Sequence, residues 1–257
     1  MKQQMNLSQS LSVIATVAGM LVIWQLVCII FEVPVYLLPT PLDIIQRIIV
    51  DWDVLIRHSG VTIFEILSGF GLSVVFGIPA AIIIVYSKYF SRSIFPILIG
   101  LQCVPMISIA PLLITWLGFG MVTKVIIAFL ISFFPIIVNA VVGLKSTEKD
   151  MLMLAASLRA NSLQVFLHFR LPKALPSIFG GFKVGITLAV VGAVVAEFVS
   201  SNRGLGYLQL VANSKLDITM QFCVIITLAI IGLVCYNLVG WIEKIAIPWY
   251  RAARGGE

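Results

Sequence analysis

Two carboxylates, Glu65 and Glu197, stand inside long apolar stretches of this 257-residue chain, along with Lys183 and the polar Gln102, Ser108, Thr115 and Asn139. A charge in hydrocarbon is costly, so ionisable groups there face protein or a polar cavity and commonly serve binding or ion passage. Glu65 lies near one end of its stretch and is expected to snorkel to the surface, as is Lys183. Glu197 ends a series of small residues, Gly181, Gly185, Ala189 and Ala193, at steps of four, which turns it toward the bundle or a partner subunit. No nucleophile–base pair and no metal-ligand cluster stands out, and no G-x-x-x-x-G-K-[ST] phosphate loop is present. Cys28, Cys103, Cys223 and Cys235 fall singly within apolar stretches and read as small packing residues. The chemistry on offer is recognition and passage, not bond-making.

The elements that must position these groups are membrane spans. The chain is 60% hydrophobic and 11% charged, outside the range of soluble domains. Six apolar runs are long enough to cross about 30 Å of hydrocarbon: 11–31, 61–86, 93–117, 121–144, 177–199 and 219–242. They predict an all-α membrane protein with a single membrane domain over 1–257. The second span repeats the small-residue stripe with Glu65, Gly69, Ser73, Gly77 and Ala81, and Pro79 should kink it. Pro105 and Pro111 interrupt the third. Such breaks are tolerated where they face protein or a water-filled cavity. Gln102, Pro105, Ser108 and Thr115, with Asn139 in the fourth span and Glu197, are therefore the candidate pathway lining. Interhelical hydrogen bonding explains each of them equally well.

Between the first two spans, Pro34, Pro39 and Pro41 predict a stiff, extended segment. Thr40 should cap a helix with Pro41 at its first position. Leu42, Ile45, Ile48, Ile49, Trp52 and Ile56 then give an apolar face for a helix lying on the membrane surface. The glycines of Ser200–Leu208, SSNRGLGYL, allow a tight turn, with Arg203 placed to meet Glu197 or a protein docked on the outer face. Trp241 and Trp249 fit an interfacial belt.

One segment, 145–176, is polar, basic and periodic. Thr147 with Asp150 and Asn161 with Gln164 each have capping-box spacing. Met151, Leu154, Ala155 and Leu158 repeat on one helical face, and a second short helix carries Leu163, Phe166 and Leu167. Pro172 should end that helix and Pro176 should open the next span. The run LAASLRAN at 154–161, followed by Leu171-Pro172 and Leu175-Pro176, resembles the EAA loop of ABC importer permeases. The family's usual Glu is Leu154 here and its usual turn Gly is Arg159, so Asn161 is expected to serve the turn.

The resemblance covers nearly the whole chain and is closest to permeases for nitrate, sulfonate, taurine, thiamine-pyrimidine or riboflavin-type uptake. It implies the type I ABC importer permease fold with coupling helices. Met151, Leu154, Ala155, Ala156, Leu158, Arg159, Ala160 and Asn161 would dock on an ATP-binding subunit. It further implies two such subunits, a second permease copy and a periplasmic or lipid-anchored solute-binding protein, in contact with membrane lipid and without nucleic acid. ATP and Mg would belong to the partner, with no cofactor on this chain. Twelve of the 17 Lys and Arg fall on the side of both termini and five on the other. That bias places both ends in the cytoplasm, and the resemblance implies a bacterial inner membrane. An ion-coupled secondary transporter would need ionisable groups near the membrane midplane. A non-transporting scaffold would not need prolines and polar groups in spans three and four.

Overall fold

The computed structural model describes residues 2–102 and 104–249, and among these every regular element is helical. Cys103, Arg251 and Arg254 lie outside the described residues. α1 (Lys2–Ile30) leads into turns over 31–37, not an extended strut, because Val33 N–H and Leu37 N–H bond back to Cys28 and Pro34 carbonyls. α2 (Pro41–Val50) starts as expected: Thr40 and Asp43 form a reciprocal capping box ahead of Pro41. The expected surface helix over 42–57 is split at Asp51, and its second half is fused to the next span as α3 (Trp52–Tyr86). Ile44 and Leu55 are the buried positions, in a cluster with Leu205, Leu208, Met220 and Cys223, while Ile45, Ile49 and Trp52 are exposed.

Pro105 breaks the third apolar run. α4 (Phe95–Leu101) ends before it, a 3-10 turn covers Met106–Ile109, and α5 (Ala110–Leu117) follows. Pro111 starts α5 and does not interrupt it, since a first-turn N–H has no helical partner to lose. α6 (Met121–Lys145), α7 (Lys149–Ser157), α8 (Ser162–Val165), α9 (Leu171–Ser200), α10 (Leu205–Ser214) and α11 (Ile218–Ala246) complete the chain. α8 and α9 are joined by a π-turn, Phe166–Arg170. Pro172 therefore does not end a helix: the wider turn shifts the hydrogen-bond register just where the proline supplies no N–H. The helix runs on over Ser162–Val199, with Pro176 in its interior. α10, which the turn-like glycines concealed, packs between α9 and α11.

Four of these helices are long and apolar enough to cross a membrane: Trp52–Tyr86, Met121–Lys145, Ser162–Val199 and Ile218–Ala246. Shorter apolar helices, Ala15–Ile30, Phe90–Leu101 and Ile107–Leu117, occupy the first and third expected spans.

The centre of the bundle is α6 packed against α9 and α3. Both predicted small-residue stripes face this contact. A Cβ on Gly69 would stand 2.6 Å from Ala128 Cβ, and one on Gly185 would stand 2.7 Å from Ile136. Gly192, one turn from Ala189, would bring a Cβ to 2.7 Å from Ala128 Cα. Helices this close leave no room for side chains, and dispersion between backbones replaces them. Ser73 and Ser132 meet across the same contact, Oγ to Oγ at 2.6 Å. At one edge, Lys183 does not snorkel but pairs with Glu243 of α11.

Candidate functional site

The 145–176 segment is an ordered hairpin. Glu148, not Thr147, stands at the N-cap position of α7 and makes no side-chain cap hydrogen bond, so the expected Thr147 box does not form, and Thr147 Oγ1 is buried without a partner. Its other end closes with two backbone bonds: Arg159 N–H to Ala156 O at 2.9 Å and Ala160 N–H to Ala155 O at 3.0 Å. This is the Schellman pattern, which needs a left-handed residue at the position after the cap. Arg159 takes that conformation itself, with φ 52°. Asn161, expected to take over the turn, has φ −73° and only caps α8, through a complete box with Gln164.

The apolar residues of the hairpin divide into two sets. Ala155 is buried within its own chain, and Met151 is half-buried. Leu154, Leu158 and Leu163 are 55%, 67% and 65% exposed, with Met153 and Leu167 beside them. Ala156 is exposed and Ala160 half-buried. Arg170 lies over the Tyr86 ring at 5.2 Å and Lys173 pairs with Glu148 at 3.1 Å, which ties the hairpin to α3 and to its own base.

A second constellation occupies the opposite end of α9. Glu65 is fully buried and paired with the buried Lys124 from the first turn of α6, so it does not snorkel. Lys124 also donates to Ser201 Oγ at 3.1 Å. Glu197, fully buried, accepts the Thr62 hydroxyl at 2.7 Å on one oxygen and the Gly206 N–H at 2.5 Å on the other. Arg203, one of whose two expected partners is Glu197, is exposed, and the backbone of the turn takes that place beside Glu197. Thr62 Oγ1 in turn accepts Leu205 N–H at 2.9 Å, and His58 Nδ1 accepts Gly204 N–H at 3.0 Å. Gly204 has φ 114°, and a Cβ there would run into the Glu197 carboxylate. The turn is thus held by three side chains from two other elements, His58 and Thr62 of α3 and Glu197 of α9, each supplying an acceptor for an N–H that α10 leaves open at its start.

Two cavities adjoin this end. One of about 610 Å³ is lined by Lys124, Ser201, Asn202 and Arg203, and one of about 560 Å³ by Arg57, His58, Arg203 and Tyr207.

The candidate pathway residues are not gathered in one place. Gln102, Pro105, Ser108 and Thr115 are exposed along the broken third run, and Thr115 donates to Pro111 O within its own helix. Asn139 is half-buried and donates to Pro135 O at 2.8 Å. Glu197 sits in the buried constellation.

The family model for the inner membrane component of binding-protein-dependent transport systems matches residues 73–251. This chain belongs to that family. It is 35% identical over 226 residues to a probable ABC transporter permease protein of Haemophilus influenzae, covering 88% of this chain and 92% of that protein. It is 32% identical over 233 residues to the formylaminopyrimidine transport permease protein ThiX of Halalkalibacterium halodurans, covering 90% and 93%. The fold matches a chain in an inward-facing structure of the MetNI methionine ABC transporter at TM-score 0.66 and 15% identity, over 76% of this chain and 97% of that one. The fold is that of a type I ABC importer permease, and the chain is the transmembrane permease subunit of an ATP-driven importer of small solutes. ATP hydrolysis resides in a separate subunit of such systems.

Proposed function

We propose that two copies of this chain form the membrane pathway of an importer, each a single permease domain with both termini in the cytoplasm. Two ATP-binding subunits cover the 145–176 hairpins, and a solute-binding protein delivers the solute to the opposite face. The observation that carries this reading is the exposed set Leu154, Leu158 and Leu163 on a hairpin fixed by a Schellman turn and a capping box. A rigid, solvent-facing apolar patch is a docking surface. ATP-driven closure of the partner pair then moves α7 and α8, and α8 passes the displacement through the π-turn to α9 as a rigid-body shift. Ala155 supports the helix from inside instead of touching the partner. The exposed Gln102, Ser108 and Thr115, with Asn139, are the proposed lining groups toward the second copy. The solute is small and anionic or heterocyclic, and the formylaminopyrimidine permease among the relatives favours the heterocycle.

The test is co-purification of the ATP-binding subunits with Leu154→Glu, Leu158→Glu permease. The double variant is expected to insert normally and to lose its ATPase partners and uptake. Retention of both at wild-type levels would sink the docking assignment. Reporter fusions at Asp53 and Ser201 should signal outside and one at Ser162 inside; the reverse pattern would invert the orientation.

A further inference from the structure

We propose that the groove between α9 and α11 is a fixed seat for one anionic phospholipid, with an acyl chain along the groove and the phosphate at the end nearer the coupling hairpin. The groove encloses about 650 Å³ and opens on the surface of the bundle, where Val191, Phe198, Leu233 and Tyr236 are exposed. Gly232 makes the space: a Cβ there would meet only Val190, at 3.9 Å. Valine and leucine form most of the wall. Val190 lies beside Gly232 and Lys183 pairs with Glu243, so the two helices run in opposite directions. Thr187 and Tyr236, the lining side chains with a polar atom, therefore stand at the same end.

Length fits the occupant. From Thr187 to Phe198 the groove runs about 16 Å, close to half of the roughly 30 Å of hydrocarbon in a bilayer. That is the depth of one leaflet, and so of one acyl chain entering from the hairpin side. Left empty, the walls would lose their dispersion contacts. The hydrophobic effect does not select the occupant, because lipid tails are as apolar as the wall.

The polar end selects it. Lys183 and Glu243 pair across the seam, Lys183 Nζ lies 5.9 Å over the Tyr236 ring, and a Cβ on Gly240 would stand 3.7 Å from the lysine stem. That pair is neutral. Lys244 is exposed and has no acidic partner among the described residues, and the Tyr236 hydroxyl has no hydrogen-bond partner among them. One positive charge and one hydroxyl donor are left over, which a phosphate monoanion complements. The exposed Trp241, one turn before Lys244, fits headgroup depth. Basic pockets between spans on the cytoplasmic side hold anionic headgroups. The proposed orientation decides only which leaflet supplies the lipid; the groove and its charge stand without it.

The test places the complete importer in nanodiscs of phosphatidylcholine with a trace of phosphatidylglycerol that carries a photoreactive group midway along one chain. After illumination, peptide mass spectrometry should find label concentrated on 187–198 and 228–236, above the level on the exposed Val75 and Phe76 of α3. Unlabelled phosphatidylglycerol should compete about fivefold better than phosphatidylcholine, the advantage that one lysine near a membrane surface supplies. Lys244→Gln should remove that advantage, and inorganic phosphate should not compete. Gly232→Leu fills the groove and should lower its label to the α3 level, with thermal unfolding unchanged or raised because Leu is the better helix former. Uniform label over the exposed apolar faces, a bare groove covered by a second copy, full label in Gly232→Leu, or equal competition by both lipids in wild type would each overturn the proposal. The wild-type pattern decides without either variant, and its failure leaves the docking of the coupling hairpin untouched.

Discussion

The two ends of α9 solve opposite problems. At its start the chain presents Leu154, Leu158 and Leu163 to the surroundings on a hairpin whose backbone is satisfied but whose apolar side chains are bare. At its finish, Glu65, Lys124, Glu197 and Thr62 are buried, and the two oxygens of Glu197 are spoken for. One end leaves its apolar side chains uncovered by its own chain, whereas the other is closed by it. On the proposed reading, the difference separates the two tasks of a lever in a membrane bundle: apolar exposure is where force would enter, and polar closure is what must hold together.

Changes at the closed end should cost most. Lys124→Met removes the sole buried cation of the described cluster and leaves its negative charge unpaired, a loss of about 3–5 kcal/mol. The expected result is little folded permease in mild detergent, measured by size-exclusion recovery and thermal unfolding. A well-folded Lys124→Met protein would show that the cluster is not held by charge. Gly204→Ala comes next. It forces a side chain into a backbone conformation that favours glycine and against the Glu197 carboxylate, at about 1–3 kcal/mol. Its melting temperature should drop, and a Glu197→Ala background should recover part of the drop by making room.

The open end should respond with smaller changes, some of the opposite sign. Arg159→Gly relieves a left-handed non-glycine residue and should raise the stability of the hairpin by about 1 kcal/mol. Slower amide exchange over 155–160 would register it, and faster exchange would contradict the Schellman assignment. Leu154→Glu alone should leave the isolated permease within about 0.5 kcal/mol of wild type, because the residue is 55% exposed and a charge there stays in solvent. Ala155→Glu, one residue on, should instead destabilise the isolated chain by about 2 kcal/mol, since it buries a charge with no partner. Equal melting temperatures for the two variants would erase the proposed inside–outside division of α7.

Sequence alone determined the all-helical membrane class, the stripes Gly69–Ser73–Gly77 and Gly181–Gly185–Ala189 that face the centre, the caps at Thr40 and Asn161, and the position of the coupling hairpin. Each is a local rule: a period, a cap or a composition fixed within a few turns of helix. The ends of the spans escaped it, because Pro172 and Pro176 forbid particular hydrogen bonds but not a π-turn that reroutes them. The left-handed residue went to Arg159 and not Asn161, since the backbone bonds closing α7 pick the position whatever side chain stands there. Above all, the partners of Glu65 and Glu197 were invisible. Lys124 and Gly206 meet them only because α3, α6 and α9 pack almost backbone to backbone, and that closeness, a property of three helices at once, decides which donor reaches which carboxylate.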